Sequence, residues 1–232
     1  MLLQLSALVF AAFLAAPALA DTLSSQDSFG RPTTNWAQAV NLAQFNPLLG
    51  TLSAVTVTLH GEVSQRYWAE NTGYAPSLLT PLGRASFAFG KADGGQQILH
   101  LSGTGDSFAA SAYDGRTDYG GTSGHEFGRL AFGDVLTFRY LDGASLADFV
   151  GTASLGDMFM VRAQGGGTVT SDNGNFSSIV TTDARYTLNV IYDYTAAQGE
   201  PVISAPIPEP ASLALAALAL AGLRISRRCR SA

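Results

Sequence analysis

Cysteine is nearly absent from this chain: the single one, Cys229, lies in a basic stretch at the C-terminal end. The long middle therefore has no disulfide framework, no thiol nucleophile and no thiolate zinc site. Lysine is equally scarce, with Lys91 alone, and charged residues make up only 13% of the sequence, about half the usual share of roughly 25%. A formal net charge of -5 adds to this, so a charge-rich disordered chain and a nucleic-acid binder are both excluded. The 25 glycines follow no three-residue period, which excludes collagen. What remains is 232 residues, 47% of them apolar, enough for one domain of ordinary size.

The two ends differ from the middle. Leu2 to Ala16 carry no charge and are mostly Leu, Ala, Val and Phe, although no Lys or Arg precedes them. Small residues then stand at Ala18 and Ala20, just before Asp21. A short apolar run closed by an Ala-x-Ala site predicts a signal peptide over residues 1–20, cleaved before Asp21 by signal peptidase after Sec-type export. At the other end, Pro206, Pro208 and Pro210 make a stiff extended spacer. The uncharged run Ala211–Leu223 that follows favours a helix. Its length, about 20 Å at 1.5 Å per residue, falls short of the ~30 Å hydrocarbon core, so it suits a transient stop better than a lasting anchor. Arg224, Arg227, Arg228 and Arg230 place the C-terminus on the cytoplasmic side.

The tail, residues 206–232, resembles the PEP-CTERM sorting signal of Gram-negative bacteria. Pro208-Glu209-Pro210-Ala211-Ser212-Leu213, the apolar helix and the arginine terminus carry the likeness, in that order. The resemblance implies an exosortase as partner, a membrane transpeptidase-like protease that cuts near Pro208-Glu209-Pro210. It implies a passage through the inner membrane and release toward the cell surface or the extracellular matrix, with its exopolysaccharide.

Between the ends, residues 21–205 hold nine basic and seventeen acidic side chains, a net charge of -8. Nucleic acid and anionic membrane surfaces would repel them. Period-two alternation dominates. Val55, Val57 and Leu59 share a face, and Val63 and Tyr67 keep that parity. Tyr186, Leu188, Val190, Tyr192 and Tyr194 share another, with Arg185, Thr187, Asn189 and Asp193 on the reverse. Shorter strands are suggested by Trp36-Val40-Leu42, Phe87-Phe89, Leu136-Phe138-Tyr140 and Phe159-Val161. Turn signals stand at Asp93-Gly94-Gly95, Asp114-Gly115, Asp142-Gly143 and Asn173-Gly174. Many short strands with Gly-rich turns predict a single antiparallel β-sandwich or jelly roll over about residues 22–197, with Val55, Val57, Leu59, Leu188, Val190 and Tyr192 in its core. The middle also resembles the choice-of-anchor E domain at Phe45–Leu59, at Glu70-Asn71-Thr72 and at Thr187–Tyr194. That resemblance implies a bacterial surface module and brings no catalytic residues or ligand with it.

Chemistry leaves little trace. His60, His100 and His125 show no metal-ligand spacing, and His60 falls on the polar face of its strand. Ser123-Gly124-His125-Glu126 sets a hydroxyl beside an imidazole, but a triad is assembled by a fold rather than by neighbours in sequence, and the segment reads as a flexible loop. Calcium is the one cofactor that the acidic turns raise, through Asp114, Asp118 and Glu126 and through Asp172-Asn173-Gly174-Asn175. Neither segment matches a calcium loop, and Asx-Gly turns account for both. Trp36, Trp68, Tyr67, Tyr74, Tyr113 and Tyr119 would serve a carbohydrate-binding module if they formed an exposed row. The expectation is a non-enzymatic surface or matrix protein without a cofactor. A carbohydrate-binding module and a small secreted hydrolase, which needs paired carboxylates or a Ser-His-Asp set, are the alternatives.

Overall fold

The alternation that starts at Val55 runs on without a break, and its length organises the domain. The computed structural model describes residues 20–31, 34–91 and 94–197. The predicted signal peptide up to residue 19 and the tail from 198 onward lie outside them. Among the described residues are nine strands: β1 (Ala20–Arg31), β2 (Trp36–Ala39), β3 (Gly50–Asn71), β4 (Ser77–Lys91), β5 (Gln96–Thr104), β6 (Phe108–Ala110), β7 (Gly124–Tyr140), β8 (Phe159–Ser171) and β9 (Phe176–Ala196). One short helix, α1 (Gly143–Ala147), lies between β7 and β8. All strand pairs are antiparallel. One sheet has the order β1-β9-β3-β7; the other has β2-β8-β4-β5, with β6 on β4.

The predicted core face is the observed one. Val55, Val57, Leu59, Leu188 and Val190 are completely buried, and Tyr192 is nearly so. They pack on Phe87 and Phe89 of β4 and on Val161 and Ala163 of β8. A second cluster, Tyr67, Ala69, Leu79, Phe127 and Val169, fills the far part of the sandwich. Buried Gln65 stands between the two. Its Nε2 donates to the Gly166 carbonyl and to Thr182 Oγ1, both at 3.1 Å, and its Oε1 accepts the Tyr67 hydroxyl. A buried amide satisfied on both ends fixes register, because a slip by one residue would leave it unpaired.

The expectation of many short strands is not met. β3 has 22 residues and β9 has 21, against a common strand length of about 5–6. The pairs Phe87-Phe89 and Leu136-Phe138-Tyr140 belong to strands of 15 and 17 residues. Glycines that resemble strand breaks are the cause. Gly61 lies inside β3 because a Cβ there would stand 2.5 Å from the Phe87 ring, and Gly167 lies inside β8 because a Cβ would meet the Tyr67 hydroxyl at 2.5 Å. One turn signal and one suggested strand, Trp36-Val40-Leu42, also turn out differently. Asp142 caps α1, its carboxylate accepting the Ser145 N–H at 2.9 Å, and Val40 and Leu42 are buried beyond the end of β2. Asn173-Gly174 does turn β8 into β9, with Gly174 at φ 74°.

The long ladder gives the domain two poles. Gly50 pairs with Ala196 at one and Asn71 with Phe176 at the other, a span of roughly 65 Å at 3.3 Å per residue. Ala20 pairs with Thr195, so the chain enters β1 and leaves β9 at the same pole. The segments 72–76, 111–123 and 172–175 gather at the opposite one, tied by Thr72 N–H to the Asn175 carbonyl, by Tyr113 N–H to Gly73 and by Asn71 N–H to Ser123.

Two outcomes follow from this packing. Gly61→Ala should lower stability by about 1–3 kcal/mol in urea unfolding, through overpacking against Phe87; unchanged stability would mean that the sheets are further apart. Burial pushes the Tyr67 phenol up to about 12 and raises those of Tyr186 and Tyr192 further; for Tyr186 the hydrogen bond to Asp27 adds to burial. An unfolded phenol loses its proton near pH 10, while these three still hold theirs. Their contribution is complete below pH 10 and is lost as pH rises toward 12 and beyond, so stability should fall steeply there. Absorbance titration at 295 nm should show these three core tyrosines ionising only on unfolding.

Candidate functional site

On the outward face of the β1-β9-β3-β7 sheet, midway between the poles, lies a trough of about 720 Å³. Antiparallel partners share a face, so the registers line its side chains up in rows across the strands. One row is Gly30, Arg185, Glu62 and Gly133; the rows beside it carry His60 and the set Asp183, Ser64 and Ala131. Arg31, Arg129 and Phe132 also line it. Glycine at both ends of the middle row leaves the trough open at the β1 and β7 edges.

Three arginines and two carboxylates set its charge. Arg185 Nε donates to Glu62 Oε2, and His60 Nε2 lies 3.7 Å from Glu62 Oε1. The Arg31 guanidinium sits over the Phe29 ring, 5.1 Å from its centre. Arg129 has no hydrogen bond or ion pair among the described residues. It stands in a β-bulge: Gln65 pairs with Leu130 and Tyr67 with Phe127, so Gly128 and Arg129 together oppose Arg66. A bulge re-aims the side chain it carries. Here it sets two arginines against each other, and Arg66 likewise has no partner among the described residues. Sequence parity placed Arg185 outward, but the pairing order that brings Arg31 and Arg129 beside it had no local signal.

The residues singled out for chemistry are dispersed. Ser123 and His125 form no pair. Ser123 Oγ is buried without a hydrogen bond, while the His125 ring stacks on Phe108 at 4.2 Å and meets Phe127 edge-on at 4.8 Å. The segment is no flexible loop either, since β7 begins at Gly124. His60 and His100 lie on opposite sheets. Asp114 and Asp118 accept the N–H groups of Arg116 and Gly120 in Asx turns, and Glu126 is exposed on β7. Asp172 accepts the Ser77 hydroxyl at 2.6 Å and the Leu78 N–H at 3.1 Å, and the Ser77 bond leads in holding its carboxyl below the usual range. Among the described residues no three His, Asp or Glu side chains converge as a metal cluster would require. Of the aromatics, Trp36 and Tyr67 are core, Trp68, Tyr113 and Tyr119 are half-buried, and Tyr74 projects alone from the 72–76 turn. Ala20 and Asp21, at the predicted signal cleavage, open β1 and are exposed; Ala18 lies outside the described residues, as do Pro208, Glu209, Pro210 and the four terminal arginines.

Glu70 was not foreseen. It is completely buried under the 118–124 segment, where its Oε2 accepts the Tyr119 N–H at 2.8 Å. Tyr119 has φ 58°, a left-handed conformation for a large side chain, and Glu70 holds it.

Residues 206–230 match the PEP-CTERM protein-sorting motif. The motif implies an exosortase partner and export with membrane-anchored processing, consistent with a cell-surface protein. Among the described residues no helix is long and apolar enough to cross a membrane. No curated protein matches the chain. Among solved structures, the crystal structure of the infectious bursal disease virus VP2 subviral particle is 10% identical with a TM-score of 0.20, over 78% of this chain and 38% of that one. The structure of the Gx strain of the same virus is 12% identical with a TM-score of 0.15, over 78% and 37%. The chain thus spans less than two fifths of those viral chains, and likeness this weak transfers neither fold detail nor function.

Glu70→Ala should release the 118–124 segment. The Tyr119 amide should exchange with deuterium at least tenfold faster than in wild type, while the β3–β9 amides keep their protection. Unchanged Tyr119 protection would show that the segment holds itself.

Proposed function

We propose that the protein is an exported, non-catalytic surface protein of a Gram-negative bacterium, whose tail an exosortase processes at Pro208-Glu209-Pro210. The β-sandwich is the part that is displayed, in association with exopolysaccharide. The match of residues 206–230 to the sorting motif carries this reading. The chain enters β1 and leaves β9 at one pole, and the trough lies midway between the poles. The separate environments of Ser123 and His125 remove that pair as a hydrolytic site.

In the same reading the middle is a choice-of-anchor E type domain. Two of the three segments that carry the resemblance, 45–59 and 187–194, meet in the β3–β9 register, with Val55 opposite Tyr192 and Leu59 opposite Leu188. A carbohydrate-binding module is the second reading, and the open trough favours it.

In this account the run Ala211–Leu223 holds the protein in the inner membrane transiently, and the arginines orient it. The protein isolated from its native host should have a mass that lacks Arg224, Arg227, Arg228 and Arg230. In an exosortase-deficient host, or with Glu209→Ala, it should retain them. Native-host protein with its arginine terminus intact would overturn the reading in favour of a plain tail anchor.

A further inference from the structure

From the trough's geometry we infer that it is a binding site for an acidic polysaccharide, with Arg129 and, at its rim, Arg66 as its carboxylate-recognising side chains and Arg185, held by Glu62, beside them. This rests on the surface-association reading for the partner's setting, and on the trough for its chemistry.

Charge distribution is the first observation. Residues 21–205 carry nine basic against seventeen acidic side chains, yet Arg31, Arg129 and Arg185 share one trough with only Glu62 and Asp183 opposing them. The second is pairing. Lys91 sits on Asp148 at 2.6 Å and Arg139 on Asp193 at 2.7 Å, whereas Arg66 and Arg129 face each other across the bulge with no carboxylate among the described residues. Like charges held in register repel each other, and a bound anion would turn that repulsion into attraction.

Shape decides the class of anion. A trough of 720 Å³ is far larger than an inorganic ion needs and falls in the range of oligomeric or drug-sized ligands. Gly30 and Gly133 leave both ends open, so an extended chain can cross all four strands and continue past each edge. An acidic peptide lying across the trough would gain no backbone ladder there, because β9 and β3 at its centre are paired on both sides and only the outer edges of β1 and β7 are unpaired. A densely charged nucleic acid meets Glu62 and Asp183 among the arginines and a net negative domain around them. A chain with spaced carboxylates for the arginines and hydroxyls for Ser64 and His60 matches the lining.

The test is calorimetric titration of the exported protein with oligogalacturonate, with neutral maltooligosaccharide and poly-L-glutamate in parallel arms. Binding is expected for the uronate chain alone, weakening as salt is raised to about 0.5 M. Arg129→Ala should weaken it roughly tenfold, and Arg66→Ala with Arg129→Ala further, while Arg139→Ala changes nothing. Thermal melting that matches wild type shows that the variants, all at exposed positions, are folded. No uronate binding by the wild type, equal binding of the neutral chain or of polyglutamate, or full affinity in the double variant would each overturn the proposal. Tail processing is read separately by mass, so either claim can fail without the other.

Discussion

Everything in this domain depends on the antiparallel ladder between β3 and β9. Twenty-one residue pairs, broken by one register shift near Ser53, hold the two longest strands together. Antiparallel pairing with a side-chain period of two means that one register decides which residues enter the core and which face water. Val57, Leu59, Leu188 and Val190 go in together, so Glu62 and Arg185 must come out together. Gln65 guards that register from inside through bonds to β8, β9 and Tyr67. The trough is thus a consequence of the same pairing that makes the core. β1 and β7 merely widen the platform on either side.

Much of this was legible in the sequence because alternation is a local signal. The inward parity of Val55, Val57, Leu59, Val63 and Tyr67 could be read directly, as could that of Tyr186 through Tyr192. Strand length could not. A glycine looks the same in sequence whether it bends the chain or makes room for a ring across the sandwich, and Gly61 and Gly167 do the latter. Asp142-Gly143 likewise has the composition of a hairpin turn and the structure of a helix cap.

The site was the least legible part, for a related reason. Its arginines come from three strands and a bulge spread over more than 150 residues, and only strand order makes them neighbours. Glu70 shows the same limit. By parity it belongs to the outward face, and the 118–124 segment buries it from above. No window of sequence contains both.

The ladder also brings the first residues of β1 and the last of β9 to one pole. The most direct test of the account is therefore a pair of distances. Spin labels on cysteines placed at Thr22 and Thr195, in protein whose Cys229 is replaced by Ser, should lie within about 20 Å of each other. Labels at Thr195 and Tyr74 should lie roughly 60 Å apart, reporting the two poles. A Thr195–Tyr74 distance comparable to that between Thr22 and Thr195 would contradict the long β3–β9 ladder, and with it the common exit of both ends and the trough between the poles.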